Sequence, residues 1–246
     1  KMIGFFPSLT EFNALELLDR SVFILISRLL SALFGTLSVI PLFLLGRHLG
    51  HVHVGLVAAA LLTVSPLHVQ HSHYGTVDIT LTFFILLATY FLYMSYSQQR
   101  KRDFVLLGIS AGLATATKYP AGLLLIAVVL LSPFFVRGEA QRLWSRSFLL
   151  STRSPLVLSV SAFIFSYSLA APYTYLDFRA FWQSFSQHSL LFSQGWLGSE
   201  GVSSYFGYYA KLLLVNEWGI VTGFLCLTGT GGLIFQSPRT AFMLLT

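Results

Sequence analysis

Seven apolar runs divide the chain, separated mostly by short polar connections. Ser21 to Gly46 is the first, and at 1.5 Å per residue it exceeds a hydrocarbon core of about 30 Å. Gly46-Arg47-His48 stops it. Val52 to Leu67 returns, ended by Ser65-Pro66, and His68 to Thr76 reads as a polar loop. Asp78 opens the third run, which reaches Ser97; an acid suits the first turn of a helix because it meets the positive end of the helix dipole. Gln98 to Asp103 is a basic turn. Phe104 to Thr117 makes only about 21 Å of helix, and it stops at Lys118-Tyr119-Pro120. Pro120 then suits the first turn of the next run, through Val136. Pro155 to Ala171 and Gly219 to Phe235 complete the set. The pattern predicts an all-α polytopic integral membrane protein, with spans at about 21–46, 52–67, 78–97, 104–117, 120–136, 155–171 and 219–235 inside one transmembrane domain.

The long connection, 172–218, differs in kind. Phe178, Phe181, Trp182, Phe185, Ser189 and Phe192 recur at helical spacing with polar residues between them. That is the pattern of an amphipathic helix lying in a membrane interface. Its tyrosines and tryptophans read mainly as an aromatic belt, with sugar stacking as the second reading. Arg137 to Arg153 reads as a surface helix rather than a span.

Charge orients the bundle. Connections on one side carry Arg47, Arg100, Lys101, Arg102, Arg137, Arg142, Arg146, Arg153 and Arg239 against only Asp103 and Glu139. The other side is close to neutral, so the basic side accounts for the net charge of +6. Excess Lys and Arg mark the cytoplasmic face. Nearly all the acids, and with them the candidate chemistry, therefore face outward. Hydrophobic residues make up 55% and charged residues 10% of the chain, and the mean hydropathy is +0.73; a soluble domain carries about 25% charged residues. Short basic turns explain the high pI without nucleic acid as a partner. The single cysteine, Cys226, sits in an apolar run and excludes a disulfide or a cysteine metal site within the chain. No signal peptide opens the chain, and an apolar run begins again at its last residues, so it reads as part of a larger domain truncated at both ends.

Ionisable residues in or at the mouth of a span are functional candidates. Arg28, Asp78, Lys118 and Glu217 qualify, all near outer ends. The short run before Lys118 places it below the outer surface, in a turn buried by protein or facing a wet cavity. Asp78 and Lys118 are a candidate pair there; a purely structural ion pair is the competing reading. His68, His71 and His73 crowd one outer loop, as His48, His51 and His53 crowd a cytoplasmic one. No carboxylate sits among them at ligand spacing except Asp78 beyond the first cluster, so hydrogen-bonded histidines are favoured over a metal site. No phosphate loop, Gly-x-Ser-x-Gly or His-Glu-x-x-His motif occurs.

Five stretches occur in order: Arg28-Leu-Leu-Ser-Ala-Leu-Phe-Gly-Thr-Leu, Leu45-Gly-Arg-His-Leu-Gly, the segment from Ala58 to Asp78, Gly112-Leu-Ala-Thr-Ala-Thr-Lys-Tyr-Pro120, and Pro172-Tyr-Thr-Tyr-Leu-Asp177. Through them the chain, over residues 20 to 215, resembles glycosyltransferases of the GT-C superfold that use polyprenyl-phosphate sugars. Within these it is similar to the dolichyl-phosphate-mannose protein mannosyltransferase-like family, glycosyltransferase family 39. The resemblance implies a GT-C-type helix bundle with outer-face interfacial helices and an outer-face active site. It implies inverting transfer of a sugar from a polyprenyl-phosphate donor to a protein, lipid or glycan acceptor. The catalytic base of the family lies in its first outer loop, upstream of residue 1; Glu11, Glu16 and Asp19 do not match its Asp-Glu pattern, and no base is assigned. Lys118 and Asp78 carry over as residues lining the donor site. Lys118 is expected to contact the donor phosphate, Asp78 to orient it and Arg28 to act as a second cation. His71, His73, Tyr119, Tyr173, Asp177 and His188 are expected in the cavity wall. No cofactor is called for, and the family leaves a divalent metal open, since some GT-C enzymes use one.

A transporter or lipid flippase is the rival reading, because it too holds charges in a membrane cavity. It would carry an inverted repeat and charges at mid-depth, whereas here no repeat is visible and the charges lie to one side. A membrane assembly subunit without a substrate is a third. Short turns and the absence of a targeting tail suggest a prokaryotic plasma membrane. The sugar and the acceptor stay open.

Overall fold

The computed structural model describes residues 21–124 and 154–194 together with Gly207, giving for 188–194 the helical backbone alone. The expected spans at 120–136 (beyond Leu124) and 219–235, the surface helix before Arg153, and Glu11, Glu16, Asp19 and Glu217 lie outside the described residues. Among the described residues all regular structure is helical. The helices are α1 (Ser21–Leu49), α2 (Val52–Val64), α3 (Pro66–His73), α4 (Asp78–Gln98), α5 (Lys101–Thr117), α6 (Pro155–Ala170), α7 (Tyr173–Leu176) and α8 (Phe178–Gln194), with a 3₁₀ turn at Tyr119–Gly122 after α5. Helices α1 and α4 are long and apolar enough to cross a membrane, and α2 with α3 makes a third candidate span bent by 58°.

The burial pattern is inverted relative to a soluble protein. The buried stripe of α1 is Ser31, Gly35, Ser38, Pro41, Leu45 and Gly46. Its large side chains, Leu25, Leu29, Leu33 and Ile40 among them, point away from the protein. Small residues inside and large apolar residues outside are what a lipid environment selects, because helices there gain by close backbone approach. The hairpin α1–α2 crosses in this way: a Cβ on Gly46 would lie 2.8 Å from the Gly55 Cα.

The polar loop expected at His68 to Thr76 is in large part helical. Ser65 is extended (φ −65°, ψ 121°), as the residue before a proline prefers, and Pro66 opens α3 at its first turn. The break bends the span, and α3 folds onto α1. His68 Nε2 donates to the Gly35 carbonyl at 3.1 Å, and Ser31 Oγ donates to the Thr76 carbonyl at 3.2 Å. Histidine at this position therefore serves a carbonyl of a neighbouring helix rather than a metal.

Helix α4 runs back against α1. Phe34 packs on Phe83 and Phe84, and His48 on Tyr90, whose neighbour Tyr93 donates its hydroxyl to the His48 carbonyl at 3.1 Å. Arg47 and the Arg100-Lys101-Arg102 turn thus share one end of the bundle, and Asp78 lies at the other. Gln99 ends α4 in the left-handed conformation (φ 55°); its backbone N–H closes on the Ser95 carbonyl, and its amide Nε2 donates to the Ser95 and Tyr96 carbonyls.

Helices α5 and α6 form the most extensive pair and run parallel. Ser159 Oγ donates to the Phe104 carbonyl at 2.9 Å, and Ser166 Oγ to the Ile109 carbonyl at 3.2 Å. Gly108 and Gly112 admit α6: a Cβ on Gly108 would meet the Ser159 carbonyl and Ala162, and one on Gly112 the Ser166 hydroxyl and the Phe163 carbonyl. This is a Gly-x-x-x-Gly seam. Beside it Ala88, Leu92, Phe104, Leu107, Ala111 and Phe163 make the apolar core. Replacing Gly112 by Val forces the helices apart at a cost of about 1–3 kcal/mol or more. Gly112→Val is expected to lower the melting temperature of the detergent-solubilised protein by at least about 2 °C. Gly122→Ala, whose new methyl meets only ordinary contact among the described residues, with Thr115 at 3.6 Å, is expected to leave it unchanged.

Candidate functional site

The end of the bundle opposite the basic turn gathers the ionisable candidates. Helix α5 stops after Thr117 because Pro120 has no N–H to continue the ladder. Lys118 takes an extended conformation there, its own N–H closing on the Ala114 carbonyl at 3.0 Å. Asp78 is the first residue of α4. Lys118 Nζ meets Asp78 Oδ1 at 2.7 Å. Each charge also sits at the helix end whose dipole favours it, Asp78 at an N-terminus and Lys118 at a C-terminus. Their side chains are 50% and 40% exposed, so both partners are reachable from outside the protein. The expected pair is therefore present, and it lies open rather than sealed.

Tyr119, next to Lys118, turns its ring edge onto Phe181 (centroids 5.3 Å, interplanar angle 85°) and Phe185 (6.3 Å, 70°). These contacts seat α8 beside the Lys118 turn. The amphipathic pattern read for 178–192 is helical as expected, and Phe178, Trp182 and Phe185 form a stacked aromatic face along it. Between α8, the Tyr119 turn and the corner after α6 lies an open cleft of about 310 Å³. It is lined by Tyr119, Ala171, Tyr173, Thr174, Asp177, Ala180, Phe181 and Ser184. The corner is pinned to α6 by the Tyr167 hydroxyl on Thr174 Oγ1 (3.1 Å) and by Ser168 Oγ donating to the Tyr175 hydroxyl (3.2 Å). Asp177 caps α8: the Ala180 N–H donates to Oδ1 at 3.1 Å, and the Phe181 N–H to its carbonyl at 3.0 Å.

Tyr119, Tyr173 and Asp177 are thus brought together in one wall. Arg28 and His73 are not among them: with Leu25, Leu29, Ala32, Ser72 and Tyr74 they line a second groove of about 350 Å³ between α1 and α3. His73 Nδ1 donates to the Val69 carbonyl at 2.7 Å. The His71 ring stands edge-on to Tyr74 at 6.1 Å, lining neither cleft. His188 lies on the backbone of α8, and its side chain lies outside the described residues. Among the described residues no three His, Cys, Asp or Glu side chains come together as a metal would require. Sequence reasoning missed Thr174, Phe181 and Ser184 as cleft residues. The signal was there in part, since Asp177, Ala180, Phe181 and Ser184 follow the i, i+3, i+4, i+7 rule for one helix face.

Apolar helices packed through small residues, with an accessible ion pair and an aromatic cleft at one end, define a helical integral membrane protein. A family model described as dolichyl-phosphate-mannose-protein mannosyltransferase matches residues 21–167, more than half of the chain, and the chain belongs to that family. It is accordingly a membrane glycosyltransferase, mannosyltransferase-like, whose donor is a sugar carried on a polyprenyl phosphate. No curated protein and no solved structure gives a significant match.

The cap at Asp177 yields a test of how this wall is held. Asp177→Ala removes the acceptor for an otherwise open helix N–H at a cost of about 0.5–2 kcal/mol, whereas Asn caps nearly as well. Amide hydrogen exchange at Ala180 and Phe181 is expected to accelerate in Asp177→Ala and to stay near the wild-type rate in Asp177→Asn.

Proposed function

We propose that the protein transfers a sugar from a polyprenyl-phosphate donor to an acceptor hydroxyl on the extracytoplasmic face, with inversion at the anomeric carbon. The observation that carries this reading is the half-exposed Lys118–Asp78 pair at the end of the bundle opposite the basic turn. Arg47 and Arg100 to Arg102 at the other end favour the cytoplasm for that end, which leaves the pair facing outward.

In such a transfer the acceptor oxygen bonds to the anomeric carbon as the bond from that carbon to the phosphate oxygen breaks. The hydroxyl proton passes to a base, and the lipid leaves as polyprenyl phosphate. Negative charge grows on the phosphate as the bond breaks. A cation beside a low-dielectric membrane stabilises that charge more in the transition state than in the bound donor, which is what accelerates the step. Lys118 supplies the cation, and Asp78 holds the ammonium in place and faces the donor. Arg28, in the groove along α1 with His73 in its wall, offers a second cation for an anionic lipid. The plasma membrane of a prokaryote is the setting that the short turns favour.

The test supplies full-length protein in liposomes with radiolabelled polyprenyl-phosphate sugars and follows release of polyprenyl phosphate. Lys118→Ala is expected to lower turnover by about 100-fold or more, the scale of removing one charge-stabilising donor. The swapped pair, Asp78→Lys with Lys118→Asp, keeps an ion pair between the helix ends but moves the cation. Recovery of folding without recovery of turnover supports phosphate contact by Lys118. Full turnover in Lys118→Ala removes that role. Movement of labelled lipid between leaflets with no turnover would make the protein a transporter.

A further inference from the structure

We propose that the cleft between Tyr119, Tyr173 and Asp177 is the acceptor subsite of the transfer reaction, and that its ligand is an uncharged saccharide. This rests on the transfer reading above and names what that reading leaves open.

Position comes first. Tyr119 lines the cleft and directly follows Lys118 in the chain, so the cleft wall begins one residue from the ion pair. That places an acceptor at the same end of the bundle as the cation assigned to the donor phosphate.

Size comes next. About 310 Å³ is at the small end of the range for small-molecule pockets, roughly 300–1,000 Å³. It suits one or two sugar rings.

The chemistry of the wall then narrows the class. Tyr173 is 75% exposed and Tyr119 is 43% exposed, and neither hydroxyl has a hydrogen-bond partner among the described residues. An exposed tyrosine offers an apolar face with a polar tip. A pyranose is the matching shape, with a C–H face for the ring and hydroxyls for the tip. Asp177 uses Oδ1 for the cap, and Oδ2 has no partner among the described residues. A carboxylate oxygen accepts hydrogen bonds only, and neighbouring sugar hydroxyls are donors suited to it. The same carboxylate repels a phosphorylated or carboxylated ligand. It also disfavours a lipid tail, which would strip it of water without giving a hydrogen bond in return.

A peptide, which aromatic-lined grooves also hold, is the rival occupant.

Saturation-transfer NMR on the full-length protein in nanodiscs tests this with methyl α-mannopyranoside, methyl β-glucopyranoside and methyl β-galactopyranoside. A serine- and threonine-containing peptide and glucuronic acid serve as rivals. At least one methyl glycoside is expected to receive magnetisation from aromatic protons, and glucuronic acid to receive less. Tyr173→Ala and Asp177→Asn should each weaken that binding about five- to tenfold. Tyr173→Phe should change it less than threefold, and Asp177→Asn keeps the helix cap, so lost folding does not mimic the result. Binding of none of the glycosides, or binding unmoved by both weakening variants, overturns the inference. Release of polyprenyl phosphate is followed in the same samples. Donor turnover with peptide as the sole acceptor overturns the saccharide subsite and leaves transfer standing. Glycoside binding that obeys the variants, without turnover of any donor, overturns transfer and leaves a saccharide site.

Discussion

The parallel contact between α5 and α6 sets the height of everything at the end opposite the basic turn. Gly108 and Gly112 let the two backbones approach until serine hydroxyls of α6 reach carbonyls of α5. A hydrogen bond between helices fixes their axial register as well as their distance. The end of α5 carries Lys118 and Tyr119, and the end of α6 carries the corner with Tyr173 and Asp177. The cleft is the gap between these two ends, closed on its third side by α8. Sliding one helix by a single turn, about 5.4 Å, would separate Tyr119 from Phe181 and remove the wall. The glycine seam, which touches no ligand, therefore determines whether a site exists.

The same physics explains the rest of the bundle. Water does not drive helices together inside lipid, so packing rests on close approach and on hydrogen bonds that have no competing solvent. The buried residues obey this rule. Ser38, Ser110 and Thr115 are buried, and each donates to a carbonyl one turn back in its own helix, at 2.7, 2.7 and 2.8 Å. Satisfied in this way, a hydroxyl occupies little more space than an alanine and adds no unpaired polar group. Along α1 the large apolar side chains then turn away from the small-residue stripe and toward the lipid. The long helix α1 tolerates an internal proline, Pro41, on the same small-residue stripe.

Much of this was legible in the sequence, and the failures have physical causes. Apolar run length found α1, α4 and α5, and Lys118-Tyr119-Pro120 located the end of α5 because a missing N–H cannot be compensated locally. Helical spacing of aromatic residues found α8. The helix Pro66–His73 was missed because its composition is polar and rich in histidine. It holds because His68 and the Ser31–Thr76 bond tie it and the following turn to α1, and a long-range partner leaves no mark in a local pattern. Arg28 was grouped with Lys118 because both stand near outer ends of spans. Depth along a span says nothing of which neighbour a side chain faces, and the bend after Ser65 gives Arg28 a groove of its own. Asp177 read as one wall residue among others, while its cap to Ala180 makes it the hinge between corner and helix.

The Asp78–Lys118 pair joins these levels. An ion pair held at 2.7 Å between the start of one helix and the end of another ties α4 to α5, and either dipole alone would favour the charge that it meets. Both side chains of the pair stay accessible. In that exposure the pair contributes little to folding, because surface pairs of this kind are worth about 0–1 kcal/mol. What it does secure is orientation: the carboxylate restrains a flexible four-carbon side chain through one of the three protons that an ammonium can donate. Restraint without burial is the arrangement expected of a cation that must meet a charged substrate, since a cation already satisfied on all sides has nothing left to offer it.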